Sequence, residues 1–163
     1  MGTNTAVPMD NAPVIEEALF GPGLEMSGYA LFLTPDAEYD DSWGGGIALD
    51  YYFNTNFALG ASAEWADVEA PGGSSSVGGV YAANATYRFP IGMVAPYLLV
   101  GGGVQDFGGS TEITARGGAG LQVALTSQFG LFGDWIYNFP GGGGGDDDFQ
   151  DFQEVRFGLR FAF

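Results

Sequence analysis

Apolar and polar positions alternate with a period of two along most of this 163-residue chain. The pattern is clearest in the C-terminal stretch "VRFGLRFAF", where one set of alternate positions is wholly apolar and the other holds two arginines. Successive side chains of a β-strand point to opposite faces, so the stretch predicts a strand with one apolar and one arginine-bearing face. The apolar set is Val155, Phe157, Leu159, Phe161 and Phe163, and the other set is Arg156, Gly158, Arg160 and Ala162.

Seven earlier segments also have strand-like composition, and six of them show the same alternation. In chain order they are LEMSGYALFL, GIALDYYF, FALGASAEWA, VYAANATYRF, APYLLVGGGVQ, ITARGGAGLQVAL and FGLFGDWIYNF. The first of these is apolar on both faces, so the pattern does not assign its sides. With the C-terminal stretch they predict eight strands of about nine to eleven residues, the length that crosses a bilayer at a tilt.

The connections between these segments alternate in length. FNTNF, FPIGMV and LTSQF are short, whereas TPDAEYDDSW, ADVEAPGGSSSV, DFGGSTE and PGGGGGDDDFQDFQE are longer and mostly acidic. Short turns at one rim and long loops at the other are typical of outer-membrane barrels. We therefore predict an all-β fold, an eight-stranded antiparallel up-and-down transmembrane β-barrel over residues 24–163. Residues 1–23 are predicted to be an N-terminal tail, with a short helix as the alternative.

The charged residues of the strands all fall on one face. A charge on a lipid-facing position costs about 2–4 kcal/mol at the middle of the bilayer, so we expect this face to line the lumen. Opposite charges that share a closed lumen must pair to offset their desolvation. With the short turns taken as the bottom of the barrel, the sequence predicts two groups of charges in the lumen. The lower group is Asp50, Arg88 and Arg160, and the upper group is Glu64, Arg116, Asp134 and Arg156.

The composition narrows the classes of function. With 20 acidic residues against four arginines, the net charge is −16, so no basic patch can form and nucleic-acid binding is excluded. The sequence has neither histidine nor cysteine, which removes Ser-His-Asp and Cys-His catalysis and makes an enzyme the weakest interpretation. Asp50, Glu64 and Asp134 are better explained as arginine partners than as catalytic carboxylates.

The strand number, the alternation of loop lengths and the ending "FGLRFAF" resemble the OmpA-like family of eight-stranded outer-membrane β-barrels. The resemblance covers the transmembrane barrel, residues 24–163. It implies a multi-pass barrel in the bacterial outer membrane, in contact with outer-membrane lipid. It also implies that Phe161 and Phe163 belong to the signal read by the barrel-assembly machinery.

The last long connection contains a cluster of carboxylates, Asp146, Asp147, Asp148 and Asp151, next to five glycines. Clustered carboxylates are the ligands that Ca²⁺ prefers, which makes this loop the candidate for a loosely bound divalent cation. Its spacing is not that of an EF-hand, and a solvated acidic loop is the simpler explanation. We expect no other cofactor.

Three functions compete at this stage. The first is a small structural or interaction barrel, whose lumen is filled by side chains and whose acidic loops contact an extracellular or envelope protein partner. The second is a narrow ion channel in which the charge pairs open transiently. The third is a soluble lipocalin-like carrier, which requires an apolar lumen and a polar exterior.

Overall fold

The computed structural model describes residues 20–35, 41–70, 74–107, 110–140 and 151–163, and eight strands account for most of them. None of the described residues forms a helix long and apolar enough to cross a membrane. The strands are β1 (Gly23–Pro35), β2 (Ser42–Tyr52), β3 (Phe57–Ala70), β4 (Ser74–Arg88), β5 (Val94–Phe107), β6 (Ser110–Ala124), β7 (Phe129–Pro140) and β8 (Phe152–Ala162).

The strands form one closed antiparallel barrel in sequence order, because β1 pairs with both β2 and β8. This confirms the predicted fold. The strands are tilted relative to the barrel axis. Directly paired residues, followed once round the barrel from Glu25 through β2 to β8, return to β1 at Pro35 instead of Glu25. Such a stagger is what closing a sheet requires.

Most strands are longer than the sequence predicted. β3 has 14 residues and β4 has 15, and they stay paired up to Ala70 and Ser74. β5 and β6 stay paired up to Phe107 and Ser110. The prediction of long loops between these strands was therefore wrong, since the backbone ladder continues through most of ADVEAPGGSSSV and DFGGSTE. The pairing of β3 with β4 and of β5 with β6 therefore runs further than the pairing of β3 with β2 and of β6 with β7.

The opposite end of the barrel has three short turns, residues 53–56, 89–93 and 125–128, and is called the short-turn end below. Local side chains fix two of these turns. The Asn54 side-chain oxygen accepts hydrogen bonds from the backbone amides of Asn56 and Phe57, both at 2.8 Å. The Thr126 hydroxyl accepts from the amides of Gln128 and Phe129. Such bonds let a short side chain take the place of a backbone partner.

The exterior of the barrel is apolar and the interior carries the strand charges, which is the reverse of what a soluble carrier requires. Leu98, Phe157 and Leu159 on the outer face are each more than half exposed. Aromatic pairs lie on the outside at the short-turn end, such as Phe129 with Phe161 at 4.7 Å between ring centroids. Trp65 and Tyr81 form a similar pair towards the other end. Two aromatic girdles are typical of barrels in a bilayer.

The faces of β1, which the sequence left unassigned, are now defined. Glu25, Ser27, Tyr29, Leu31 and Leu33 are buried inside the barrel. The lumen is therefore not polar throughout. An apolar cluster packs around the half of β1 that is farther from the short-turn end. Its members are Tyr29, Leu31, Leu33, Ala66, Val80, Phe132 and Phe152.

Candidate functional site

The charged lumen is the candidate site. The structure places all seven charged residues singled out by the sequence inside the barrel, each with at most 6% of its surface exposed: Asp50, Glu64, Arg88, Arg116, Asp134, Arg156 and Arg160. Each lies on a strand and takes its direction from the alternation of the strand. Two further carboxylates, Glu25 on β1 and Glu154 on β8, share the lumen with them.

Five of these residues form an upper cluster, defined as Glu64, Arg116, Asp134, Glu154 and Arg156. Arg116 forms ion pairs with Glu64, at 3.1 Å, and with Glu154. Arg156 forms ion pairs with Glu64 at 2.8 Å and with Asp134 at 2.7 Å. Glu64 therefore lies between two guanidinium groups. Because β3, β6, β7 and β8 each contribute, the cluster ties together strands from opposite sides of the lumen.

Two tyrosines extend the upper cluster. The Tyr29 hydroxyl donates to Glu64 Oε1 at 2.8 Å, and the Tyr97 hydroxyl donates to Asp134 Oδ2 at 2.7 Å. Their rings need space over neighbouring strands, and glycines supply it. A Cβ on Gly46 would lie 2.6 Å from the Tyr29 ring, and one on Gly120 would lie 2.5 Å from the Tyr97 ring. Glycine at these two positions lets large side chains fill the lumen.

A lower cluster, defined as Glu25, Asp50, Arg88 and Arg160, lies towards the short-turn end. Glu25 pairs with Arg88 at 2.5 Å and lies 3.8 Å from Arg160. Arg160 also donates to the side chains of Ser27 and Gln122, both at 3.0 Å. Among the described residues, no guanidinium lies within 4.0 Å of the Asp50 carboxylate, so Asp50 belongs to this cluster by position and not by direct contact.

Arg88 is the most enclosed charge at the short-turn end, with 0% of its surface exposed. Its guanidinium lies 3.4 Å from the centroid of the Tyr52 ring. Its Nε donates to the carbonyl of Thr55 in the turn after β2, at 2.8 Å. One arginine therefore links β4 to β2, to a turn and, through Glu25, to β1. A planar donor fork suits such multiple contacts better than an ammonium group.

The sequence pattern did not identify Glu25 and Glu154 as lumen residues, for different reasons. Glu25 lies on the one strand whose faces could not be assigned. Glu154 was attributed to the last acidic loop, and that assignment was wrong: the residue lies within β8 and is 1% exposed. A usable signal was present, since Glu154 shares parity with Arg156 and Arg160 and falls on their face.

The predicted calcium site is only partly described. Asp146, Asp147 and Asp148 lie outside the described residues. Asp151 precedes β8, and its carboxylate accepts a hydrogen bond from the Tyr137 hydroxyl at 2.7 Å. Among the described residues, no group of three or more carboxylates is arranged to hold a metal ion.

Phe161 and Phe163, predicted to form part of an assembly signal, lie on the outer face at the short-turn end. Their rings pack edge to face at 4.6 Å between centroids. Phe163 is 70% exposed, and its backbone amide donates to the carbonyl of Leu24 at 3.0 Å. The last residue of the sequence is thereby tied to β1.

Solved structures with the same architecture come from several bacteria. Neisserial surface protein A (NspA) is similar with a TM-score of 0.69 and 20% identity, over 86% of this chain and 96% of NspA. The N-terminal barrel domain of OprF from Pseudomonas aeruginosa has a TM-score of 0.62 and 19% identity, over 88% and 99%. Ail, the attachment invasion locus protein of Yersinia pestis, has a TM-score of 0.56 and 19% identity, over 88% and 99%. No curated protein sequence matches this chain.

The sequence itself matches a family model. The model describes the outer membrane protein beta-barrel domain and matches residues 6–163, nearly the whole chain. Together with the closed barrel and its apolar exterior, this match places the protein in the bacterial outer membrane. In outer-membrane barrels the short turns typically face the periplasm. The chain belongs to the outer membrane protein beta-barrel family.

Proposed function

We propose that this protein is a closed barrel with a structural or interaction role in the cell envelope, and that its paired charges keep the lumen shut. One observation carries the proposal: the upper cluster joins β3, β6, β7 and β8 through ion pairs across the lumen. An eight-stranded barrel has an interior just wide enough for side chains to fill. Here those side chains bind one another and occupy the space that a solute would need.

The distribution of charge supports an interaction role for the rim of the barrel opposite the short turns. All four arginines are buried in the lumen, and the sequence has no lysine or histidine. Asp41, Asp67 and Asp106 are exposed towards the end of the barrel opposite the short turns. The charged side chains that meet the surroundings are thus acidic, and we propose a basic partner, an extracellular or envelope protein, on electrostatic grounds. We do not propose an enzyme, because the chain has no histidine or cysteine.

Conductance across a planar bilayer tests the closed lumen. The purified barrel is expected to give no stable single-channel steps, whereas Arg116→Ala is expected to give them because two carboxylates lose their shared partner. Asp67→Ala, at an exposed outer position, is the matched control and should give no single-channel steps. Stable steps from the unsubstituted barrel would favour the narrow ion channel instead.

The basic partner has its own test. Nanodiscs that contain the barrel should bind an oligolysine peptide and not an oligoglutamate peptide, and binding should weaken as salt rises. The double variant Asp67→Asn, Asp106→Asn should bind oligolysine less tightly. Binding that is equal for both peptides, or unaffected by the double variant, would contradict the proposed charge recognition.

A further inference from the structure

Phe20 and Gly21, two of the three described residues before the first strand, are buried at the short-turn end of the barrel. Phe20 is 1% exposed and packs against Ala95, Ala124 and Ala162, which come from β5, β6 and β8. Three small side chains at one level leave the space that the phenyl ring fills. The sequence analysis had assigned Phe20 to the N-terminal tail, where a buried position was not expected.

Polar contacts hold Phe20 and Gly21 from the other side of the opening at the short-turn end, which is called the mouth below. Arg88 Nη2 donates to the carbonyl oxygen of Gly21 at 3.0 Å. The Arg88 guanidinium carbon lies 5.4 Å from the centroid of the Phe20 ring, within the range of a cation–π contact. Glu25 pairs with the same guanidinium, so its charge is balanced inside the barrel. The mouth therefore offers an apolar pocket for a ring and a charged donor for a backbone carbonyl.

We infer that the short-turn mouth is an intramolecular binding site for Phe20 and Gly21, and that these two residues act as a plug between the lower cluster and the periplasm. β1 begins at Gly23, and its pairing with β2 starts at Gly23, so the plug lies outside the strand ladder. These contacts are not part of the strand pairing that closes the barrel. The plug adds to the closed lumen a second barrier, which involves neither Arg116 nor Glu64.

Buried polar side chains behind Phe20 support a separable plug. Ser27, Gln122 and Arg160 are each at most 5% exposed, and Arg160 donates hydrogen bonds to the side chains of the other two. Without the ring, water would reach these groups from the periplasmic side through the gap left between three alanines. With the ring in place, the mouth is closed by a group that exchanges no hydrogen bonds with water.

Cysteine alkylation can test the plug, because the chain contains no cysteine of its own. Ser27→Cys places a nearly isosteric thiol behind the plug, and iodoacetamide reports its access to water in the folded barrel. The background with Phe20 intact should react slowly. Because the burial of a phenyl ring is what holds the plug, Phe20→Ala should raise the rate by about tenfold or more, and Phe20→Leu by much less.

A second thiol separates opening of the mouth from loosening of the whole barrel. Ala66→Cys lies in the upper lumen, where its rate of alkylation should not change with Phe20→Ala. An equal rise at both positions would mean a loosened barrel and would overturn the plug. Fast alkylation of Ser27→Cys with Phe20 intact, or no rise in Phe20→Ala, would overturn it as well.

Discussion

Arg156 and Asp134 face each other directly across β7 and β8 and are joined by two hydrogen bonds. Nε of Arg156 donates to Oδ1 of Asp134 at 2.8 Å, and Nη2 donates to Oδ2 at 2.7 Å. The remaining nitrogen, Nη1, reaches across the lumen to Glu64 at 2.8 Å. A bidentate contact fixes the plane of the guanidinium, so its third contact has a defined direction. Neighbouring strands thereby orient the ion pair between Arg156 and Glu64.

Arg116→Ala should destabilise the barrel strongly. The change leaves Glu154 without its ion-pair partner and leaves Glu64 with Arg156 alone. Removal of one member of a buried pair costs about 3–5 kcal/mol, whereas an exposed charge is worth about 0–1 kcal/mol. Urea unfolding in micelles, followed by tryptophan fluorescence, gives the free energies of unfolding. Asp67→Ala is the control, and an Arg116→Ala barrel that unfolds no earlier than this control would contradict the paired lumen.

The two-point contact predicts a measurable coupling between its members. A double-mutant cycle with Arg156→Gln and Asp134→Asn should give a coupling energy of about 1–3 kcal/mol. The same cycle with Arg156→Gln and Asp50→Asn should give much less, since no guanidinium lies within 4.0 Å of Asp50 among the described residues. Equal couplings in the two cycles would show that only the net charge of the lumen matters.

Glycine at a lumen-facing position of β5 is predicted to be required. A Cβ on Gly103 would lie 2.7 Å from the Cα of Ala82 and would also clash with the carbonyl oxygen of Tyr81. Gly103→Ala should cost about 1–3 kcal/mol of stability, because backbone atoms cannot move aside as a flexible side chain can. Gly117→Ala is the control, since the nearest atom there is 3.9 Å away. Thermal or urea unfolding of the two variants should separate them clearly.

Phe163→Ala tests the proposed assembly signal. If Phe163 is read by the barrel-assembly machinery, its loss should reduce the amount of folded barrel in the outer membrane more than the yield of refolding in detergent. Phe53→Ala removes another exposed aromatic ring from the short-turn end and controls for the loss of apolar surface. Equal deficits in cells and in detergent, or equal deficits for the two variants, would count against a signal at Phe163.

The period-two pattern was enough to predict the fold and the side of the sheet on which each arginine lies. The alternation predicts the side of each charged residue because lipid-facing and lumen-facing positions have opposite requirements for charge. It failed for β1, whose lumen-facing side chains include Leu31 and Leu33. An apolar residue is tolerated on both faces, so its position in the pattern carries no information about its side.

The partners within the lumen were less predictable than its members. The contact between Arg156 and Glu64 spans 92 residues and joins two strands that are not neighbours. Its geometry depends on the strand tilt, which follows from the pairing register around the whole barrel and not from any one segment. Strand ends were also misplaced at β3–β4 and β5–β6, because the serines there looked like loop residues although the ladder includes residues 74–76 and Ser110.

Closure of β1 on β8 also sets the order in which the protein can be built. The Ser27–Arg160 contact is separated by 133 residues, and β1 gains its second neighbour only when the last strand arrives. Contacts so distant along the chain make folding slow, because loop entropy must be lost before the contacts form. Until β8 docks, β1 has an unpaired edge and the arginines of β8 lack their carboxylate partners. The newly made chain is therefore expected to expose an unpaired edge, which favours aggregation, until its last strand is available.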